Sequence, residues 1–137
     1  MSLHSAHDQL YALIEHARSS PHEVCGVLIG QREPVQIKLR VAGHNVHVQP
    51  QQHYLIDAAT LLQADDLARS TGQEIVGFYH SHPHGAAVPS PHDRREAWSG
   101  FVYIIVAWAN GTPYVCAWLV DEQGVVRPVS QTRNNAS

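Results

Sequence analysis

The sequence predicts one α/β domain built on a single mixed central β-sheet flanked by helices. Apolar residues recur at helical spacing in two segments, and elsewhere they alternate with polar residues or run continuously, as strands require. The 137 residues suffice for one sizeable core. A composition of 44% hydrophobic and only 15% charged residues excludes both a disordered chain and a charged helical rod.

Ser5-Ala6-His7-Asp8 fits a capping box, and Leu10, Leu13, Ile14 and Ala17 follow on one helical face until Ser19-Ser20-Pro21 ends the helix. Val24 to Gly30 reads as a strand, followed by a turn at 31–34. Val35, Ile37, Leu39 and Val41 then alternate as a half-buried strand. A polar loop spans Gly43 to Gln52, and Tyr54-Leu55-Ile56 fits a short strand. Asp57 can cap a second helix that carries Ala58, Leu61, Ala64 and Ala68 and closes at Gly72. Ile75 to His82 is a further strand. A Pro/Gly/Ser loop runs to Ser90, and a short helix starts at Pro91. Phe101 to Ala109, continuously apolar, is a central strand; Asn110-Gly111 turns it into Tyr114–Val120. A weak last strand follows Gly124. Residues 1–129 are expected to form the domain, and 130–137 a polar, disordered tail.

Charge narrows the partners. The net charge is −3, Lys38 is the single lysine, and Arg94-Arg95 is the densest basic pair, so a nucleic-acid surface is not expected. The nine-residue apolar run is too short for a membrane helix. The N-terminal segment lacks the pattern of a secretory signal, so a cytoplasmic protein is expected. Histidine is anomalously frequent: protonating all 11 would move the charge from −3 to +8 between about pH 7 and 5. Cys25 and Cys116 have no CxxC spacing and suggest neither a disulfide framework nor a zinc ribbon.

The chemistry concentrates in residues 79–93. His80 and His82 lie two apart at a strand end, so both rings leave on one face and could grip one metal ion; alone, they could equally be two surface histidines. Ser90-Pro91-His92-Asp93 reads locally as a capping box that starts a helix. Glu23, read alone, is a solvated carboxylate at a strand start. His44, His47, His53, His84 and His92 read as solvated loop residues.

Taken together, His80-x-His82-x7-Ser90-x2-Asp93, with Pro83 after the second histidine, resembles the signature of the JAMM (MPN-plus) zinc metallopeptidases. The segment Pro21-His22-Glu23-Val24-Cys25-Gly26-Val27-Leu28-Ile29-Gly30 matches that family's early glutamate strand, and Asn45 lies in the matching loop. The resemblance runs from the first helix to about Val120. It implies the three-layer JAMM/MPN fold, which is cytidine-deaminase-like. It implies one Zn2+ held by His80, His82 and Asp93, with water at the fourth, open position of a catalytic site. Glu23 is then the base that moves the water proton, and Ser90 the hydrogen-bond donor to the oxyanion. HExxH and the deaminase zinc motifs are absent from the sequence.

Family members cut a peptide or isopeptide bond after the C-terminal glycines of ubiquitin-like proteins. The implied substrate is a small ubiquitin-like or sulfur-carrier protein with a Gly-Gly tail, received as an added strand. The loops at 43–52 and 110–113 are short, which is similar to the compact prokaryotic type, including the peptidase that releases cysteine from a sulfur carrier. Two alternatives remain at this level: a catalytically silent MPN scaffold that binds protein partners, and a histidine-rich metal-binding protein without catalysis.

Overall fold

Continuous apolar segments become interior strands because both of their faces must be covered. In the computed structural model, which describes residues 2–32, 34–50 and 52–134, the run at Val102–Ala109 (β5) is buried along most of its length. The other strands are β1 (Ser2–Ala6), β2 (Cys25–Arg32), β3 (Val35–Ala42), β4 (Glu74–Ser81), β6 (Thr112–Val120) and β7 (Val126–Asn134). Their order is β1-β3-β2-β4-β5-β6-β7, and β1 also pairs with β7, which closes the order into a ring. The sheet is mixed: β4–β5 and both β1 pairings are parallel, and the rest are antiparallel. Asn110 (φ 53°) and Gly111 (φ 79°) take the left-handed conformations that a two-residue β5–β6 hairpin requires.

Helices cover the two faces. The helix α1 (His7–Arg18) buries Leu10, Leu13 and Ala17 against Leu28, Tyr79, Ile104 and Val106. The helix α2 (Ala58–Ser70) buries Ala64 and Ala68 on the opposite face, with Val27, Ile29, Phe78 and Tyr103. Neighbouring residues such as Val27 and Leu28, or Phe78 and Tyr79, go to opposite layers, as the pleat dictates. Gly26 is required where it stands: a Cβ there would lie 2.2 Å from the Tyr79 ring. The third helix, α3 (Pro91–Glu96), is a short one at the end of the loop that follows β4. No described helix is long and apolar enough to cross a membrane.

The α/β class and three layers match expectation, while several boundaries do not. Ser5 and Ala6 belong to β1, and α1 begins at His7, so the expected cap at Ser5 gives way to parallel pairing with β3 and β7. The tail expected from Ser130 is also corrected: Ser130–Asn134 continue β7 and pair with β1. Residues 135–137 lie outside the described chain. Tyr54-Leu55-Ile56 forms only a single bridge, Asn45 to Ile56. β6 begins at Thr112, ahead of the expected Tyr114, and β4 ends at Ser81, leaving His82 one residue beyond it. For α2 the expected cap is present: the Asp57 side chain accepts from the Thr60 N–H.

Candidate active site

Three elements converge on one point. β4 delivers His80, the residue after β4 delivers His82, and α3 delivers Asp93. His80 Nε2 lies 3.2 Å from His82 Nε2, and both nitrogens lie 3.1 Å from Asp93 Oδ2. The His80 side chain is 1% exposed, that of Asp93 8% and that of His82 11%. Glu23 comes from the segment just before β2 and is itself buried. It presents a carboxylate oxygen within 4.8 Å of both imidazoles.

Local sequence explains how each group is held. Ser90 and Asp93 form a reciprocal capping box: the Asp93 N–H donates to Ser90 Oγ (3.0 Å) and the Ser90 N–H donates to Asp93 Oδ2 (2.9 Å). The Ser90 oxygen thus serves as acceptor for the cap, which leaves its own O–H free to donate. His82 Nδ1 lies 2.7 Å from the Ala86 carbonyl, which can accept its proton and so leave the Nε2 lone pair facing Asp93 and His80. The next residue, Ala87, is clamped from β6: its N–H donates to the Tyr114 hydroxyl and its carbonyl accepts from Trp118 Nε1, both at 3.1 Å. On the other side, Ser81 Oγ accepts from the Val24 N–H (2.9 Å), and the Glu23 N–H donates to the Pro50 carbonyl (2.8 Å).

The electrostatics separate the four groups. Burial pushes the Glu23 carboxyl up to about 7; nearby His82 opposes this and the Asp93 charge adds to it. Burial also pushes His80 down, toward the neutral imidazole that a metal needs. For His82, burial works downward, but the hydrogen bonds to Asp93 and Ala86 prevail and raise it. Asp93 is held well below the usual carboxylate range: burial works against this, and the contacts to His80 and His82 outweigh it.

The donor set fits a zinc ion. Two imidazole nitrogens and one carboxylate oxygen form a triangle with edges of 3.1–3.2 Å. A tetrahedron with metal–ligand bonds of about 2.0–2.1 Å has edges of roughly 3.3 Å. Beside the triangle, Glu23 Oε1 is buried and, among the described residues, has no hydrogen-bond partner. A pocket of about 350 Å³ adjoins Asp93, with an apolar wall that includes Tyr54, Leu55, Leu61, Phe78 and Trp98.

All five residues singled out from the motif (Glu23, His80, His82, Ser90 and Asp93) therefore lie at one site. Tyr54 has no assigned role in the motif, and three loop histidines differ from their expected setting. Tyr54 stacks on His80, with ring centroids 4.3 Å apart and planes 20° from parallel. Its only signal in sequence is an aromatic residue beside a polar loop. His47, His53 and His92 are not separate solvated side chains, since their rings pack together with centroids 4.1–5.4 Å apart. His44 and His84 are exposed as expected.

Residues 5–121 match the family described as prokaryotic homologues of the JAB domain. The chain is 35% identical over 123 residues to a desampylase of Haloferax volcanii, covering 85% of this chain and 88% of that protein. It is 37% identical over 105 residues to a probable TtuB-protein conjugate cleaving protease of Thermus thermophilus, covering 77% of this chain and 66% of that one. The solution structure of a protein of Desulfitobacterium hafniense superposes with a TM-score of 0.84 at 26% identity, over 96% of this chain and 92% of that one. This protein belongs to the family of prokaryotic JAB-domain homologues.

Proposed function

We propose that the protein is a zinc-dependent peptidase or isopeptidase that hydrolyses the bond after the C-terminal glycine of a small ubiquitin-like or sulfur-carrier protein. The triangle of His80, His82 and Asp93, with the buried carboxylate of Glu23 beside it, carries this reading. The names of the Haloferax and Thermus relatives support a protein conjugate as substrate. Cys25 and Cys116 are both free thiols, which suits work in the reducing cytoplasm.

His80, His82 and Asp93 would hold the ion. When bound, zinc would supply Lewis acidity and would lower the pKa of a water molecule toward about 7. Glu23 takes the proton of the attacking water and returns it to the leaving amine. Burial, which raises its carboxyl to about 7 in the metal-free protein, favours the protonated form that returns the proton to the amine. Ser90 donates its O–H to the oxyanion of the tetrahedral intermediate while its oxygen still caps α3. Every strand of the ring has a neighbour on each side over part of its length. The apolar pocket beside Asp93 offers the substrate tail a place next to the site.

The test is incubation of the zinc-loaded protein with Gly-Gly-ended carrier conjugates, with the products read by mass spectrometry. Cleavage after the terminal glycine that stops on chelation and returns with zinc supports the proposal. Stoichiometric zinc without cleavage of any such conjugate would favour the scaffold.

A further inference from the structure

The two histidines of the site share Asp93 through Nε2 but differ at Nδ1, the ring nitrogen turned away from the triangle. A metal-bound imidazole is ordinarily fixed by its second nitrogen, which donates to a carboxylate, a carbonyl or water. His82 follows this rule through Ala86. His80 does not: its Nδ1 is buried and, among the described residues, has no hydrogen-bond partner. The side chain is 1% exposed, which leaves solvent no access to substitute for one. What lies against the ring is the face of Tyr54, at 4.3 Å and 20° from parallel. An imidazole in such a stack cannot turn edge-on about its Cβ–Cγ bond without driving its atoms into the phenol ring.

Tyr54 is in turn held from both sides. Asn45 Nδ2 donates to the His53 carbonyl (2.9 Å), and Asn45 Oδ1 accepts from the Leu55 N–H (3.1 Å), so one side chain ties the residues before and after Tyr54. The stack is therefore a fixed part of the site and not a chance contact of a loop.

We propose that Tyr54 is the positioning residue of His80, its aromatic face taking the place of the missing outer hydrogen bond and holding Nε2 toward His82 and Asp93. This rests on the reading of His80 as a metal ligand. The ring carries the effect and the hydroxyl does not. Losing an outer partner of a ligand typically weakens metal binding about 10–100-fold, and a stack at the lower end of that range sets the expectation here.

The experiment is a chelator-competition titration of zinc on wild type, Tyr54→Phe, Tyr54→Leu and His80→Ala, with the visible spectrum of the cobalt-loaded forms as a second readout. Tyr54→Phe should keep zinc affinity within about 2-fold and retain the wild-type cobalt spectrum. Tyr54→Leu should lose about 10-fold and show an altered spectrum. Should the leucine variant not fold, Tyr54→Met carries the same expectation. Equal affinity for wild type and Tyr54→Leu, or equal losses in the Phe and Leu variants, would overturn the role of the ring. The metal-centre reading fails separately and visibly, if wild type holds no stoichiometric zinc or His80→Ala binds it as tightly, and the role of Tyr54 falls with it.

Discussion

The side-chain amide of Asn45 donates to the backbone carbonyl of Glu23 at 2.8 Å. The same amide group reaches the His53 carbonyl at 2.9 Å, while its oxygen accepts from the His47 and Leu55 N–H groups, both at 3.1 Å. One residue thus fastens the loop over 45–55 to the segment that carries the carboxylate. Asn45→Ala removes these contacts at once, together with a longer one from the amide to the Pro50 carbonyl (3.4 Å), and each part-buried group left unpaired costs about 1–3 kcal/mol. We expect a loss of about 2–4 kcal/mol in urea unfolding of the metal-free protein. Asn45→Asp keeps the two acceptor contacts and should lie between the variant and wild type. An alanine variant as stable as wild type would show that the loop is held by other means.

Ser90 has two roles that differ in magnitude. Its loss as a cap costs about 0.5–2 kcal/mol of stability, whereas the loss of an oxyanion donor costs about 10²–10³ in kcat. Ser90→Ala should therefore unfold slightly earlier and cleave far more slowly, with Ser90→Thr close to wild type where the methyl group fits. Parallel unfolding and turnover measurements separate the two. A Ser90→Ala enzyme with full turnover would leave only the cap.

Much of this arrangement is legible in the sequence because it is local. Asn110-Gly111 specifies its own turn, and Ser90-Pro91-His92-Asp93 specifies both a helix start and the direction of the Asp93 carboxylate. The β5 run is apolar on both faces because both are covered. What escapes a local reading is pairing between distant segments. β1 and the end of β7 are short and mostly polar, and they become strands by pairing with distant segments, β1 with both β3 and β7. The stack of Tyr54 on His80 and the grip of Tyr114 and Trp118 on Ala87 join residues 26 to 31 apart in sequence, which no spacing rule encodes.

Trp118 also makes a testable contribution at a distance. Its Nε1 donates to the Ala87 carbonyl, next to the Ala86 carbonyl that faces His82. Trp118→Phe keeps an aromatic ring but removes the donor. We expect a modest stability loss of about 0.5–1.5 kcal/mol, with zinc dissociating faster as the hold on His82 loosens. Stopped-flow release to a chelator measures this. An unchanged release rate would confine Trp118 to packing.

The pH dependence of the metal-free protein follows from Glu23. Burial raises its carboxyl to about 7, above the ordinary glutamate value of about 4.3. The folded state therefore prefers the neutral acid. Its contribution is complete below about pH 4.3 and is lost as pH rises through about 7. Urea unfolding at pH 5.5 and 8 should show wild type losing more stability than Glu23→Gln over this interval. Asp93, held low by His80 and His82 despite its burial, loses its contribution only as pH falls below about 4, outside the window. Identical pH slopes for wild type and variant would contradict the buried, elevated Glu23. Zinc should draw the titration of Glu23 downward, since a dication favours the charged carboxylate.

Glu23 also decides between a hydrolase and a zinc-binding scaffold. Glu23→Gln preserves side-chain shape but cannot accept a proton from water, so cleavage should fall by about 10²–10⁴ while the His80, His82 and Asp93 triangle still holds its ion. The decisive measurement is zinc content and cleavage rate, taken on the same preparations of wild type and Glu23→Gln. We expect one zinc per chain in both and near-complete loss of cleavage in the variant. Equal cleavage rates would contradict the proposed base, and loss of zinc from the variant would place Glu23 among the metal ligands instead.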